Sequence, residues 1–144
     1  MNISRLVRND ADACADINAL LKQLVHDPST FEPITAERFS SILAEPDTIV
    51  VAAEEEGRIV GTGSLFVVNK FRGTYGYIED MIVDESQRGK GLGESIARKL
   101  IELGKETGVT TIELSTRPSR VAANSLYQKL GFEQKETNVY RLKL

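Results

Sequence analysis

The segment with the clearest chemistry is Gln87-Arg88-Gly89-Lys90-Gly91-Leu92-Gly93. Three glycines at alternate positions remove the side chains that would keep a ligand away from the main chain, and Arg88 and Lys90 add positive charge. Helical periodicity starts at Gly93, so this segment is a helix N-terminus, where amide N–H groups lack intrahelical acceptors and the dipole favours an anion. Such a turn suits a phosphate or pyrophosphate group. Two well-known phosphate turns fit it poorly. A dinucleotide fingerprint has its third glycine one place later, where this chain has Glu94, and it follows an opening strand rather than a β-meander. A P-loop ends in Gly-Lys-Ser/Thr, whereas Lys90 is followed by Gly91.

Two further sets of residues stand out. Glu79 and Asp80 are adjacent carboxylates in an otherwise apolar strand, Tyr77 to Val83, and strict alternation sends them to opposite faces. Carboxylates in a central strand are costly without partners, so one is expected to face a ligand cleft. Arg120, Asn124 and Tyr127 are spaced four and three apart and share one helix face, beside the apolar Ala123, Leu126 and Leu130. A polar stripe next to a buried one can line a site; for Arg120 alone an ordinary solvated face is equally open. The remaining conspicuous residues read as structural. The single histidine, His26, offers no triad, and Cys14 sits on an apolar helix stripe. Glu54-Glu55-Glu56 is a solvated acidic tip. Phe71, Arg72 and Tyr75 fall in an inter-strand loop, which either contacts substrate or merely connects.

The elements that position these groups follow from periodicity. Ile3 to Val7 is a short first strand. A helix capped by Asn9 or Asp10 carries Cys14, Ile17, Leu20, Leu21 and Leu24 on one stripe, and a second starts at Thr35 and stops at Pro46. Thr48 to Glu54 and Arg58 to Val68 form a hairpin about Glu56-Gly57; after a loop from Lys70 to Gly76, Tyr77 to Val83 extends the meander. The helix from Gly93 is followed by a strand, Val109 to Ser115. Pro118-Ser119 opens a last helix that Gly131 terminates, and the clean alternation of Val139 to Leu144 predicts a closing strand. The expected order is β-α-α-β-β-β-α-β-α-β: an α/β fold with a mixed, mostly antiparallel central sheet, helices on its faces, and one domain over residues 1–144.

Composition bounds the function. A 41% hydrophobic and 27% charged chain of 144 residues can pack a core, and its net charge of −3 argues against a general nucleic-acid binder. One cysteine excludes an intramolecular disulfide and a multi-cysteine zinc site. No apolar run is long enough for a bilayer, and Met1 to Arg8 lacks a signal-peptide core, which predicts a cytoplasmic protein without membrane or nucleic-acid partners.

These motifs together resemble one family. Arg88 to Gly93 is similar to the Arg/Gln-x-x-Gly-x-Gly/Ala pattern of the acyl-CoA-dependent N-acyltransferases related to the histone acetyltransferase Gcn5. Tyr77 to Asp84 looks like the family's central strand running into its phosphate turn. Arg120 to Phe132 looks like its second signature, ending in Leu126-Tyr127-x-x-Leu130-Gly131-Phe132. The resemblance implies acetyl-CoA as donor, a small-molecule or peptide amine as acceptor, no metal, and direct attack of the amine in a ternary complex. It implies that the backbone of Arg88, Gly89, Lys90, Gly91, Leu92 and Gly93 holds the CoA pyrophosphate. Pantetheine would then lie along Ile82 and Val83, with the acetyl carbonyl near Met81 or Ile82. It gives Asn124 a CoA contact and Tyr127 a place near the CoA sulfur. A homodimer is common among such proteins. The acceptor ammonium must lose a proton before attack, and Glu79 is favoured over Asp80 as the base. Some members carry a glutamate on the strand after the phosphate helix; here that position holds Ser115, with Glu113 two residues earlier. The alternatives are an enzyme using another acyl-CoA and a non-catalytic acyl-CoA sensor on the same fold.

Overall fold

Local capping starts the first two helices where the spacing predicts. The Asp10 carboxylate accepts from the Ala13 N–H at 2.8 Å and opens helix α1, Ala11–Lys22; the Thr35 hydroxyl accepts from the Arg38 N–H at 3.1 Å and opens α2, Ala36–Ala44. In the computed structural model, which describes residues 1–144, these helices pack on a sheet built from β1 (Asn2–Arg5), β2 (Thr48–Glu55), β3 (Arg58–Lys70), β4 (Gly73–Val83) and β5 (Thr111–Leu114). Helices α3 (Leu92–Glu106) and α4 (Val121–Lys129) complete the α-helices, and short 3-10 turns lie at Pro28–Thr30 and Glu85–Gln87. The strands lie in sequence order, β1 to β5. Pairing is antiparallel except between β4 and β5, which run parallel because α3 crosses between them.

The sheet divides the core in two. On one face α1 and α2 bury Cys14, Ile17, Leu20 and Phe39 against Val50, Ala52 and Ile59; on the other, α3 buries Leu92, Ile96 and Leu100 against Ile49, Val51, Ala53, Leu65 and Ile78. The unbroken apolar run Ile49 to Ala53 therefore serves both faces of an interior strand. At roughly 1.5–3 kcal/mol for each fully buried large aliphatic side chain, these layers anchor the sheet edge that carries the site. The Asp16 carboxylate, 3% exposed, accepts from Arg58 Nε at 2.7 Å and from the Ile59 N–H at 2.9 Å, tying α1 to the start of β3.

Four expectations are corrected. The loop read between Lys70 and Gly76 shrinks to the two residues Phe71-Arg72, because Lys70 pairs with Gly73 and Val68 with Tyr75 in one long hairpin. Gly76 marks a close approach rather than a turn: a Cβ there would stand 2.7 Å from a Leu65 methyl. Alternation also fails inside β4. Thr62 pairs with Ile82 but Ser64 with Glu79, so a β-bulge inserts one residue, and Asp80 adopts a left-handed φ of 53°. As a result Ile78 joins the α3-side core while Ile82, four residues on, joins the α1-side core. Finally, Val139 to Leu144 forms no strand. Val139, Tyr140, Leu142 and Leu144 are exposed, because an alternating segment becomes a strand only where a partner edge satisfies its backbone. Helix α1 also ends before Leu24 and His26, leaving both exposed.

Candidate active site

The turn before α3 is built from backbone. Asp84 closes β4 by accepting from the Ser86 N–H at 2.9 Å, the Ser86 hydroxyl at 2.6 Å and Gln23 Nε2 at 3.0 Å, while Gln23 Oε1 accepts from the Glu85 N–H at 3.2 Å. Those hydrogen bonds hold its carboxyl below the usual carboxylate range. Beyond them Gly89 (φ 78°) and Gly91 (φ 77°) take left-handed conformations, and Gly91 is the N-cap of α3 without any side-chain cap. The N–H groups of residues 89 to 94 donate no hydrogen bond within the protein. A Cβ at either glycine would meet nothing within 4 Å, so the concave side of the turn is open. Arg88 Nε donates to the Val83 carbonyl at 3.2 Å and Lys90 Nζ to Gln87 Oε1 at 2.9 Å, which places both cations around the turn.

The second feature is the end of the β4–β5 ladder. Pairing runs from Tyr75 with Thr111 to Ile78 with Leu114 and then stops, although β4 continues to Val83. From Glu79 onward the edge of β4 that faced β5 has no strand partner, and a cavity of about 670 Å³ opens there. Tyr77 and Glu79 line it from β4, Ser115 and Thr116 from the segment after β5, and Asn124 and Tyr127 from α4. Helix α4 is held beside α3 by Lys129, whose Nζ lies 2.7 Å from Glu94. Its C-terminus ends at Gly131 (φ 94°), where the Phe132 N–H donates to the Tyr127 carbonyl at 2.9 Å and the Gly131 N–H to Gln128 at 3.0 Å, a Schellman closure.

The structure therefore brings Glu79, Asn124 and Tyr127 to one cavity and leaves Arg120 out of its lining. Arg120 instead serves as N-cap of α4, and the Asn124 amide N–H groups are taken by the Arg117 carbonyl (3.0 Å) and the Arg120 carbonyl (2.8 Å). Only the Asn124 carbonyl oxygen is left for a ligand. The Tyr127 ring is buried edge-on against Phe132 at 5.7 Å, and its hydroxyl makes no hydrogen bond within the protein; burial pushes its pKa up, so it stays a proton donor at neutral pH. Met81 and Val83 pack toward the α3 side while the Ile82 side chain is buried on the other, so their accessible chemistry is the backbone.

The bulge changes the two carboxylates. Partial burial raises Glu79, and the charge of Asp80 raises it further; Asp80 itself is raised by burial. The bulge interrupts the strict alternation that would separate the two carboxylates, and the charge of Asp80 is felt at Glu79. Sequence reasoning missed Thr116, whose hydroxyl oxygen is buried without a hydrogen-bond partner, and Lys70, whose ammonium lies over two tyrosine rings. Ser115-Thr116, a polar pair directly after a strand, was the available signal for the first; nothing local signals the second.

An open backbone anion turn thus starts α3, and the sheet parts beside a buried tyrosine; none of residues 81–93 is among those lining the cavity at that parting. The chain belongs to the acetyltransferase (GNAT) family, whose model matches residues 14–132, and it is an N-acetyltransferase. It is 36% identical over 129 residues to a probable glucosamine 6-phosphate N-acetyltransferase 2 of Oryza sativa subsp. japonica, covering 81% of this chain and 74% of that protein. The crystal structure of glucosamine-6-phosphate N-acetyltransferase from Arabidopsis thaliana superposes with a TM-score of 0.82 at 29% identity, over 98% of this chain and 97% of that one. A putative acetyltransferase from Agrobacterium tumefaciens shares the fold, with a TM-score of 0.85 at 22% identity over 99% and 100% of the two chains. Members of this family take the acetyl group from acetyl-CoA. No helix is long and apolar enough to cross a membrane.

Proposed function

We propose that the chain binds acetyl-CoA along the turn and the β4–β5 opening and transfers its acetyl group to the amine of a phosphorylated amino sugar of the glucosamine 6-phosphate kind. The observation that carries the donor half is the loss of pairing after Ile78 and Leu114, which leaves β4 backbone groups free beside the cavity. The pyrophosphate sits on the unpaired amides of Gly89, Lys90, Gly91, Leu92 and Gly93, with Arg88 and Lys90 flanking it. Pantetheine runs along the free edge of Ile82 and Val83, and the Asn124 carbonyl oxygen accepts from one of its amides. Backbone N–H at Met81 or Ile82 polarises the thioester carbonyl.

In the ternary complex the acceptor ammonium loses a proton to Glu79, whose raised pKa brings it nearer to neutral pH than an ordinary carboxylate. The free amine attacks the carbonyl carbon, the nitrogen of the tetrahedral intermediate releases its second proton to solvent in the open cavity, and the intermediate collapses to the amide as the C–S bond breaks. Tyr127 protonates the departing thiolate. Against a thiol's reference pKa of about 8.5, a tyrosine's of about 10 makes the transfer mildly uphill, and burial adds to that. The hydroxyl therefore acts as a hydrogen-bond donor that completes the transfer as charge grows on sulfur. Asp80 holds the bulge and tunes Glu79. The acceptor class rests on the named relatives, five of which are described as glucosamine 6-phosphate N-acetyltransferases, one of them as probable, at 32–38% identity to this chain. The exposed apolar tail at residues 139 to 144 and the open edge of β5 support a homodimer in which these residues cover one another. A cytoplasmic location accords with such a substrate.

The test is acetyl-CoA-dependent thiol release across glucosamine 6-phosphate, glucosamine, amino acids, polyamines and aminoglycosides. Turnover highest with glucosamine 6-phosphate is expected. Turnover confined to a non-sugar amine would overturn the acceptor assignment, and acetyl-CoA binding without turnover on any amine would indicate a sensor.

A further inference from the structure

The glycine turn into α3 is held in place from outside itself. The N–H groups of Gly89, Lys90 and Gly91 donate to nothing within the protein, and a Cβ at either glycine would meet no atom within 4 Å. Its placement is therefore inherited from α3 behind it and from the 3-10 turn Glu85–Gln87 ahead of it. Side-chain amides fasten that 3-10 turn to two distant elements. Gln87 Nε2 donates to Glu55 Oε2, at the end of β2, at 2.8 Å. Gln23, the C-cap of α1, reaches it across 61 residues of sequence.

The Gln23 contact has two points. Its Nε2 donates to Asp84 Oδ2 at 3.0 Å, and its Oε1 accepts from the Glu85 N–H at 3.2 Å. One planar amide thus grips a carboxylate oxygen and the next residue's N–H together, which fixes the direction in which the chain leaves β4. The other oxygen, Asp84 Oδ1, is occupied by the Ser86 N–H at 2.9 Å and the Ser86 hydroxyl at 2.6 Å. Gln23 follows a helix whose Ile17 and Leu20 are buried in the core, so a rigid element carries the clamp. Gln23 is not among the residues lining the cavity, and its amide is committed to Asp84 and Glu85.

We propose that Gln23 is a positioning residue for the donor: from the end of α1 it sets the start of the turn so that the N–H groups of residues 89 to 93 converge on one pyrophosphate. This rests on the proposed donor site and assigns the part of the fold that holds it ready. A cradle ordered beforehand loses less conformational freedom on binding, so removing the clamp weakens CoA without deleting any contact to it.

Calorimetry with CoA, at a temperature where every variant is folded, tests this on the wild type, Gln23→Met, Gly91→Val and their double variant. Gln23→Met keeps an unbranched side chain and deletes both hydrogen bonds; roughly five- to tenfold weaker binding is expected. Acting through the turn, the same replacement should cost about twofold or less in the Gly91→Val background, where the cradle is already blocked. A merely structural side chain would give equal factors in both backgrounds. A second pair of variants tests the contact itself. Gln23→Glu sets a carboxylate against Asp84 and should weaken CoA at least as much as Gln23→Met. Adding Asp84→Asn exchanges the amide and the carboxylate and should restore most of the lost affinity. Wild-type affinity in Gln23→Met, equal factors in the two backgrounds, or no recovery in the exchanged pair overturns the proposal. Weakened binding in Gly91→Val with none in Gln23→Met removes this proposal alone, whereas wild-type binding by Gly91→Val removes the donor reading of the turn and the proposal with it.

Discussion

Replacing Gly91 separates the cost of backbone conformation from the cost of losing the anion cradle. Gly91 sits at φ 77° as the N-cap of α3, and a Cβ built there points into open space, with no protein atom within 4 Å. Two consequences follow for Gly91→Val. The left-handed conformation costs an L residue roughly 1–2 kcal/mol, which for a chain of this size corresponds to a fall in Tm of about 3–8 °C. Independently, the new side chain fills the space where a pyrophosphate would approach the unpaired N–H groups of residues 89 to 94. Loss of one charge-assisted hydrogen bond is worth about 1.5–3 kcal/mol, so acetyl-CoA should bind roughly 10- to 100-fold more weakly. Gly91→Asn serves as the control for strain, since asparagine tolerates left-handed φ: it should melt closer to wild type yet still lose affinity. Calorimetry at a temperature where every variant is folded gives the affinity, and a thermal melt gives the strain. A folded Gly91→Val protein that binds acetyl-CoA like wild type would refute the assignment of the turn.

Tyr127→Phe keeps the ring against Phe132 and removes only the hydroxyl; turnover should fall at least tenfold with acetyl-CoA affinity preserved, and a fully active variant reduces Tyr127 to packing. Because burial and Asp80 raise Glu79, wild-type kcat/KM should climb with pH along a limb displaced above the ordinary carboxylate range. Glu79→Gln should lose about 100-fold at neutral pH and recover in part as the free amine accumulates at higher pH; an unchanged pH–rate profile would move the base to Asp80 or to water. Asp84 has a lowered pKa, so its stabilising effect is present above the usual carboxylate value and is lost as pH falls through and below it. Asp84→Ala should remove about 1 kcal/mol at neutral pH, seen in denaturant melts, flatten the acid side of the stability profile and weaken acetyl-CoA binding by loosening the turn. Deleting residues 139 to 144 should convert a dimer to a monomer by light scattering; an unchanged mass would show that these apolar residues cover no partner.

The sequence by itself determined whatever depends on neighbours along the chain. Helix starts at Asp10 and Thr35, the Glu56-Gly57 hairpin, the glycine turn into α3 and the Gly131 stop are set by capping and by φ preference, and each is visible within a few residues. The buried stripes of α1 and α3 follow from periods of three and four, and the Arg88–Gly93 and Leu126–Phe132 motifs placed the chain in its family before any geometry was known. What the tertiary structure alone decided depends on a partner strand. Alternation read Glu79 and Asp80 onto opposite faces, but the register against β3 takes an extra residue at Asp80, which switches the face of Ile82 and leaves the Asp80 charge to raise Glu79. The point where β4 and β5 part cannot be read from either strand alone, because β4 runs on to Val83 and only its register with β5 shows that the last shared pair is Ile78 with Leu114. Gly76 looked like a loop marker because a missing side chain is silent about whether it serves a turn or a close contact with Leu65. Lys70 lies seven residues from Tyr77 in sequence and meets it only through the hairpin register, and Val139 to Leu144 alternates like a strand yet stays unpaired although the outer edge of β5 is open. Backbone pairing is a two-body property, and one chain segment carries only half of it.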